Sequence, residues 1–199
     1  EIINMAKAPL YRDPIHDGAA DPMVIFNRDT KTWFMFYTNR RAMSPIIGES
    51  WIHGTDIGIA ESTDNGKTWL YRGIAEGLKY ERGHNTYWAP EIIWHDGVYH
   101  MYVSYVRGIP ENWEHDRYIL HYTSENLWDW EFRSKLDLGS DRVIDACIAE
   151  KPEGGWRMWF KDECRDSHTY YADSDDLYNW HRVGAAVTDI SHEGANVFT

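Results

Sequence analysis

The sequence predicts an all-β fold, a β-propeller of four-stranded antiparallel blades, on three observations. Short apolar runs broken by Gly, Asp and Asn replace long helical stripes. A Ser/Asp-rich turn ending in Trp recurs three times, as STDNGKTW (62 to 69), SENLWDW (124 to 130) and SDDLYNW (174 to 180). The spacing of these turns, Ser62 to Ser124 to Ser174, lies in the range of propeller blades.

Each blade is read element by element. The pairs MVIF with KTWFMFYT, EIIW with VYHMYVSYV, and ACIAE with GWRMWF are hairpins. They are joined by NRDT (27 to 30), by a two-residue Asp96-Gly97 turn and by KPEGG (151 to 155). The second strand of each hairpin is apolar on both faces, so coverage on both sides is expected. A third strand (DIGIAE, YILHYT, HTYYAD), the Trp turn and a fourth strand complete the unit. The chain thus reads as one propeller domain over 1–199, with blades at 19–75, 86–137 and 142–188 and the first strand of a fourth at 192–199. A five-bladed ring at this period needs on the order of 250 to 300 residues. The expectation is therefore a five-bladed type truncated after three blades, completed by a longer chain or by a homo-oligomer.

Composition narrows the function. The chain has 199 residues, 43% of them hydrophobic, enough for a core. A net charge of -12 without any basic run argues against nucleic acid and anionic membrane surfaces as partners. No apolar stretch approaches the roughly 20 residues that cross a bilayer. The chain opens on Glu1 without a signal peptide, so a processed or trimmed start is expected, in a secreted or periplasmic protein. Eleven Trp and thirteen Tyr suit pleated sheets, and also suit sites that stack flat faces on a sugar ring. Cys147 and Cys164 lie about 17 Å apart by hairpin register, which predicts two free thiols.

The chemistry is expected where the first strands begin. Asp21 in GAADPMVIF, Glu91 in YWAPEIIW, Asp145 in RVIDACIAE and Glu193 in HEGANVF open the four first strands. First strands line the axis of a propeller, so four carboxylates at one blade position share one funnel. Crowded and partly desolvated, such acids repel one another, and some are pushed toward protonation. An acid and a base side by side are what glycoside hydrolysis requires. Arg40, Trp51, Trp88, Lys161 and His192 are the candidate sugar contacts, with core packing weighed for Trp88. Hairpin register makes Lys161 a neighbour of Asp145, an ion pair that would keep Asp145 ionised.

The order ADP, WAPE, IDAC, EGAN resembles the five-bladed propeller glycoside hydrolases of family 43 and its relatives, families 117, 32 and 68, from about Ala20 onward. The resemblance implies that Asp21 is general base, Asp145 a pKa modulator that orients substrate, and Glu193 general acid. It implies for Glu91 an acidic position near the site without proton transfer. It implies no required cofactor, with a structural calcium or other divalent cation in the central channel whose ligands the sequence does not identify. The expected activity is hydrolysis of a neutral plant or algal oligosaccharide from a chain end, with inversion. The alternative is a non-catalytic carbohydrate-binding propeller or an inactive fragment. STDNGKTW also matches the Asp-box of sialidases, a turn that stabilises the fold; a sialidase would further need three arginines for its substrate's carboxylate.

Overall fold

The computed structural model describes residues 8–197. Three antiparallel four-stranded sheets follow one another along the chain, each a simple meander. Blade 1 comprises β1 (Ala19–Asn27), β2 (Thr32–Asn39), β3 (Ile57–Ser62) and β4 (Leu70–Ile74). Blade 2 comprises β5 (Thr86–His95), β6 (Val98–Val106), β7 (Tyr118–Ser124) and β8 (Glu131–Lys135). Blade 3 comprises β9 (Val143–Glu150), β10 (Trp156–Asp162), β11 (His168–Ser174) and β12 (His181–Val187). The first strands pack on one another, β1 on β5 and β5 on β9, which places them on the axis of the fan.

Local chemistry explains the turns. Asp96 and Gly97 both have positive φ (48° and 87°), the pair of left-handed residues that a two-residue hairpin between His95 and Val98 requires. At the rim, the hydroxyl of each turn's serine accepts backbone N–H groups: Gly66 at Ser62, Leu127 at Ser124, Leu177 at Ser174. Asp64, Asn126 and Asp176 then accept from the N–H groups two to four residues on.

Packing joins the blades through two apolar seams. Phe34, Phe36, Ile57 and Ile59 of blade 1 meet Tyr99, Met101, Val103, Leu120 and Tyr122 of blade 2. The opposite face of blade 2, with Tyr102 and Ile119, meets Trp156, Met158 and Phe160 of blade 3. β6 is thus buried on both faces, as its apolar run predicts. On blade 1, Met35 and Tyr37 look away from blade 2 and are covered by Tyr11 and Trp69. β10 departs from the expectation. It alternates buried and half-buried residues, because Arg157, Trp159 and Lys161 face the side of blade 3 on which no further blade is described.

Every inner strand is interrupted near its start by a two-residue bulge. Asp21 and Pro22 stand where β2 offers one residue, Ala89 and Pro90 do so against β6, and Asp145 and Ala146 against β10. The first bulge residue has positive φ in all three: 49° at Asp21, 46° at Ala89 and 59° at Asp145. Aspartate tolerates this region better than most side chains; alanine gains nothing from it. The preceding blade holds the bulge in place. The Ala89 N–H donates to Thr38 Oγ1 of β2 (2.8 Å), and the Asp145 N–H donates to Ser104 Oγ of β6 (3.1 Å).

The segment after β12 repeats this pattern without forming a strand. Gly194 has φ 65°, matching the bulge residues. Its N–H donates to Asp145 Oδ2 (3.2 Å), and the Val197 N–H donates to Cys147 Sγ (3.4 Å). The second contact repeats, one blade on, the bond from the Ile148 N–H to Glu91 Oε1 (2.9 Å). Residues 193–197 therefore follow the path of a next inner strand. No ladder forms among the described residues because no second strand lies beside them; Phe198 and Thr199, part of the expected fourth blade, lie outside the described residues. Both cysteines are free, Cys147 buried and Cys164 exposed.

The bulge bond is testable. Ser104 is buried, so Ser104→Ala leaves the Asp145 N–H without an acceptor. A loss of about 1–3 kcal/mol in urea unfolding is expected; a change below about 0.5 kcal/mol would show that the bulge stands without it.

Candidate active site

The bulges set the site. Positions align by bulge, so Asp21, Ala89, Asp145 and Gly194 are equivalent. Glu193 lies one residue before that position, and Glu91 lies two residues after Ala89. The expectation of four acids at one blade position is thereby corrected: two aspartates share it, and the two glutamates reach the axis from neighbouring positions. The reason is the αL requirement, which admits Asp, and at Gly194 glycine, far more readily than Glu.

The three acids nevertheless converge. Asp21, Asp145 and Glu193 line one pocket of about 280 Å³ with Arg40, Ile52, Trp88, Trp113, Lys161 and Glu163. Asp21 and Asp145 also face a second cavity of about 360 Å³ nearer the axis, shared with Glu91, Ala146, Cys147 and Asn196. Asp21 Oδ2 accepts from the Thr38 hydroxyl (2.9 Å) and stands 3.9 Å from Arg40 Nη2. Thr38 thus holds both Asp21 and the Ala89 bulge. Burial pushes the Asp145 carboxyl up to about 7, reinforced by the charges of Asp21 and Glu193 and opposed by Lys161 and the Gly194 N–H. Burial likewise pushes Glu91 up to about 7 against its bond from the Ile148 N–H.

Lys161 differs from expectation. β10 places it opposite Ile144, one residue before the Asp145 bulge. Its ammonium pairs with Glu193 (3.0 Å) and Glu163 (2.9 Å), and those two carboxylates satisfy it without Asp145. Asp145 is accordingly pushed toward its protonated form instead of being held ionised.

The pocket wall is aromatic. Trp88 is buried and donates its Nε1–H to the Ile52 carbonyl (2.6 Å). The half-exposed Trp113 comes from the β6–β7 connection, with ring centroids 6.1 Å apart. His53 fills the space behind them, 5.1 Å from Trp88 and 5.6 Å from Trp113. Its Nδ1 meets the Glu49 carbonyl (2.9 Å), so it carries the proton, and its Nε2 accepts from His115 Nε2 (2.9 Å). Burial holds His115 down to about 4, so this pair is neutral near pH 7.

Two expected contacts lie elsewhere. Trp51 ends a 3₁₀ turn (Gly48–Trp51) and does not line the pocket. His192 turns toward blade 3: its Nε2 meets the Thr169 hydroxyl, its Nδ1 the Ile190 carbonyl, and its N–H the Ser167 carbonyl. It pins the segment carrying Glu193 without entering the site. Trp113 and Glu163 were not anticipated. Alternation from Lys161 places Glu163 on the same strand face, a signal the sequence carried; Trp113, in a long connection, offered none. Among the described residues no three His, Cys, Asp or Glu side chains are grouped to hold a metal ion. The axial cation implied by the resemblance thus finds no ligand set in this part of the ring.

The three four-stranded blades define a β-propeller fold. No protein-family profile matches the sequence, and no curated protein matches it. Solved structures do match in fold. An endo-arabinase from Bacteroides thetaiotaomicron VPI-5482 superposes with a TM-score of 0.61 at 16% identity, over 87% of this chain and 57% of that one. A family 43 β-xylosidase/α-arabinofuranosidase from a compost microbial metagenome gives 0.66 at 14%, over 94% and 64%. A family 117 glycoside hydrolase from Zobellia galactanivorans gives 0.66 at 17%, over 83% and 55%. The chain therefore has the family 43-like propeller fold and spans between half and two thirds of these proteins' length.

The state of Asp145 can be checked through stability. A carboxyl raised in the fold retains a proton that the unfolded chain releases, so stability is lost as pH rises from about 4 to about 7. Asp145→Asn keeps an oxygen for Gly194 and removes this loss. At pH 8 it should be more stable than wild type by about 1–3 kcal/mol, with the gain vanishing below about pH 4. A difference independent of pH in urea unfolding would contradict the raised carboxyl.

Proposed function

We propose that the protein is a glycoside hydrolase acting on a neutral plant or algal oligosaccharide, from a chain end and with inversion. The observation that carries this reading is the meeting of Asp21, Asp145 and Glu193 in one small pocket walled by Trp88 and Trp113. A tryptophan face suits the apolar face of a sugar ring, and the flanking carboxylates suit an acetal.

In this reading Glu193 protonates the glycosidic oxygen as the bond to the anomeric carbon breaks. Asp21 takes a proton from a water that attacks that carbon from the opposite face. The leaving alcohol carries away the Glu193 proton, the sugar gains hydroxyl, and solvent returns the Asp21 proton to Glu193. Asp145, beside both, orients substrate and moderates the charge they share. The half-buried face of blade 3, with Trp159 and Tyr171, is where a further blade would pack, on a longer chain or a second copy. Such a blade would also secure Glu193.

Aryl glycosides of arabinose, xylose and related neutral sugars test the reading. Asp21→Asn should lower kcat by about 10²–10⁴-fold. Glu193→Gln should lose most on substrates with poor leaving groups and least on activated ones. Proton NMR of the first product should show the inverted anomer. Equal rates in wild type and Asp21→Asn would leave the second reading, a propeller that binds carbohydrate without cleaving it.

A further inference from the structure

Glu193 stands on a segment without ladder hydrogen bonds, and its side chain is 70% exposed. An exposed ion pair alone would position such a carboxylate weakly, because both partners lose rotamer freedom in forming it. Its partner here is already fixed. Lys161 is 11% exposed and is held from its other side by Glu163, 17% exposed. Glu163 in turn forms an ion pair with Arg117 Nε at 2.6 Å, a charge contact without hydrogen-bond alignment, and the Arg117 side chain is only 4% exposed. Arg117 is anchored through its backbone at the seam of blades 2 and 3, where its N–H donates to the Asp141 carbonyl and its carbonyl accepts from Val143. Its Nη2 donates to the Trp113 carbonyl (3.1 Å). Charges therefore alternate from the seam to the pocket mouth: Arg117, Glu163, Lys161, Glu193.

We propose that Glu163 is a positioning residue that, braced by Arg117, fixes Lys161 and through it the place of the Glu193 carboxylate. The inference rests on the hydrolase reading for its kinetic consequence, though not for its structural one. Without Glu163, the half-buried Lys161 and the buried Arg117 would be left with Glu193 as the one carboxylate in direct contact with either. The groups facing this chain are Asp21 of β1, Arg40 beyond β2, Asp145 of β9, and, around Arg117, Glu114, Arg142, Cys164 and the imidazoles of His53 and His115. Only Lys161 gives Glu193 a direct cationic contact among them.

The test exploits opposite signs. Lys161→Met removes the cation beside Glu193 and keeps the Arg117–Glu163 pair, so the alkaline limb of the kcat/KM profile should move up by about one pH unit. Glu163→Gln leaves Lys161 less neutralised, so the same limb should move down by about half a unit or more. Lys161→Arg should restore the wild-type limb, and the acid limb should stay in place. Shifts of both variants in one direction, or no shift, would overturn the proposal, because a purely structural pair would harm both alike. A readout without turnover separates this from failure of the hydrolase reading. In the ligand-free protein, hydrogen bonds to Glu163 and Glu193 raise Lys161 above the ordinary lysine range against its burial. Carbon-13 NMR of the lysine side chains should show the Lys161 midpoint falling by about a unit in Glu163→Gln and also falling in Glu193→Gln. An unchanged midpoint in Glu163→Gln would overturn the proposal even in an inactive protein.

Discussion

The backbone N–H at the left-handed bulge of β5 and of β9 is the group on which the arrangement depends. A hydroxyl on the second strand of the blade before it accepts the bond: Thr38 for Ala89, Ser104 for Asp145. One interaction thereby fixes the angle between neighbouring blades and the direction of the side chain at the bulge. A buried N–H left unpaired would be unfavourable by a few kcal/mol, so the inner strands cannot slip against the blade before them. The site is in this sense a by-product of blade packing, and its geometry is as rigid as the seams.

Charge balance at the mouth follows from the same frame. Three acids in a small pocket could not all remain ionised beside one another without help. Asp145, the least exposed of the three, yields by holding its proton to about pH 7. Glu193, at the exposed edge, is matched instead by Lys161. The frame thus distinguishes neighbouring carboxylates by burial and partner, leaving a protonated Asp145 beside an ion-paired Glu193.

Much of this was legible in the sequence because its causes are local. The Asp96-Gly97 turn, the serine-headed rim turns and the doubly apolar run of β6 each follow from side chains within a few residues. What escaped depends on partners distant in sequence. Ala89 conceals a left-handed residue that no propensity would place there. The offset of Glu193 and Glu91 from the aspartates appears only once the bulges define register. Lys161 was rightly drawn to the pocket but paired with the wrong acid, since a strand neighbour one bulge away is no longer opposite. Trp51 and His192, expected as sugar contacts, are carried off the mouth by their own turns. The segment after β12 reads as a strand and follows a strand's path, and lacks only the neighbour that would complete its ladder.

In the proposed reading Asp21, Asp145 and Glu193 form one sugar site with Trp88 and Trp113. A crystal structure of Asp21→Asn soaked with short neutral oligosaccharides, arabinan- and xylan-derived ones included, tests it most directly. A sugar ring should lie against Trp88 and Trp113, with its anomeric carbon between residue 21 and Glu193. A sugar bound instead at the outer cleft lined by Glu76, Lys79 and His84, with the axial pocket empty, would contradict it.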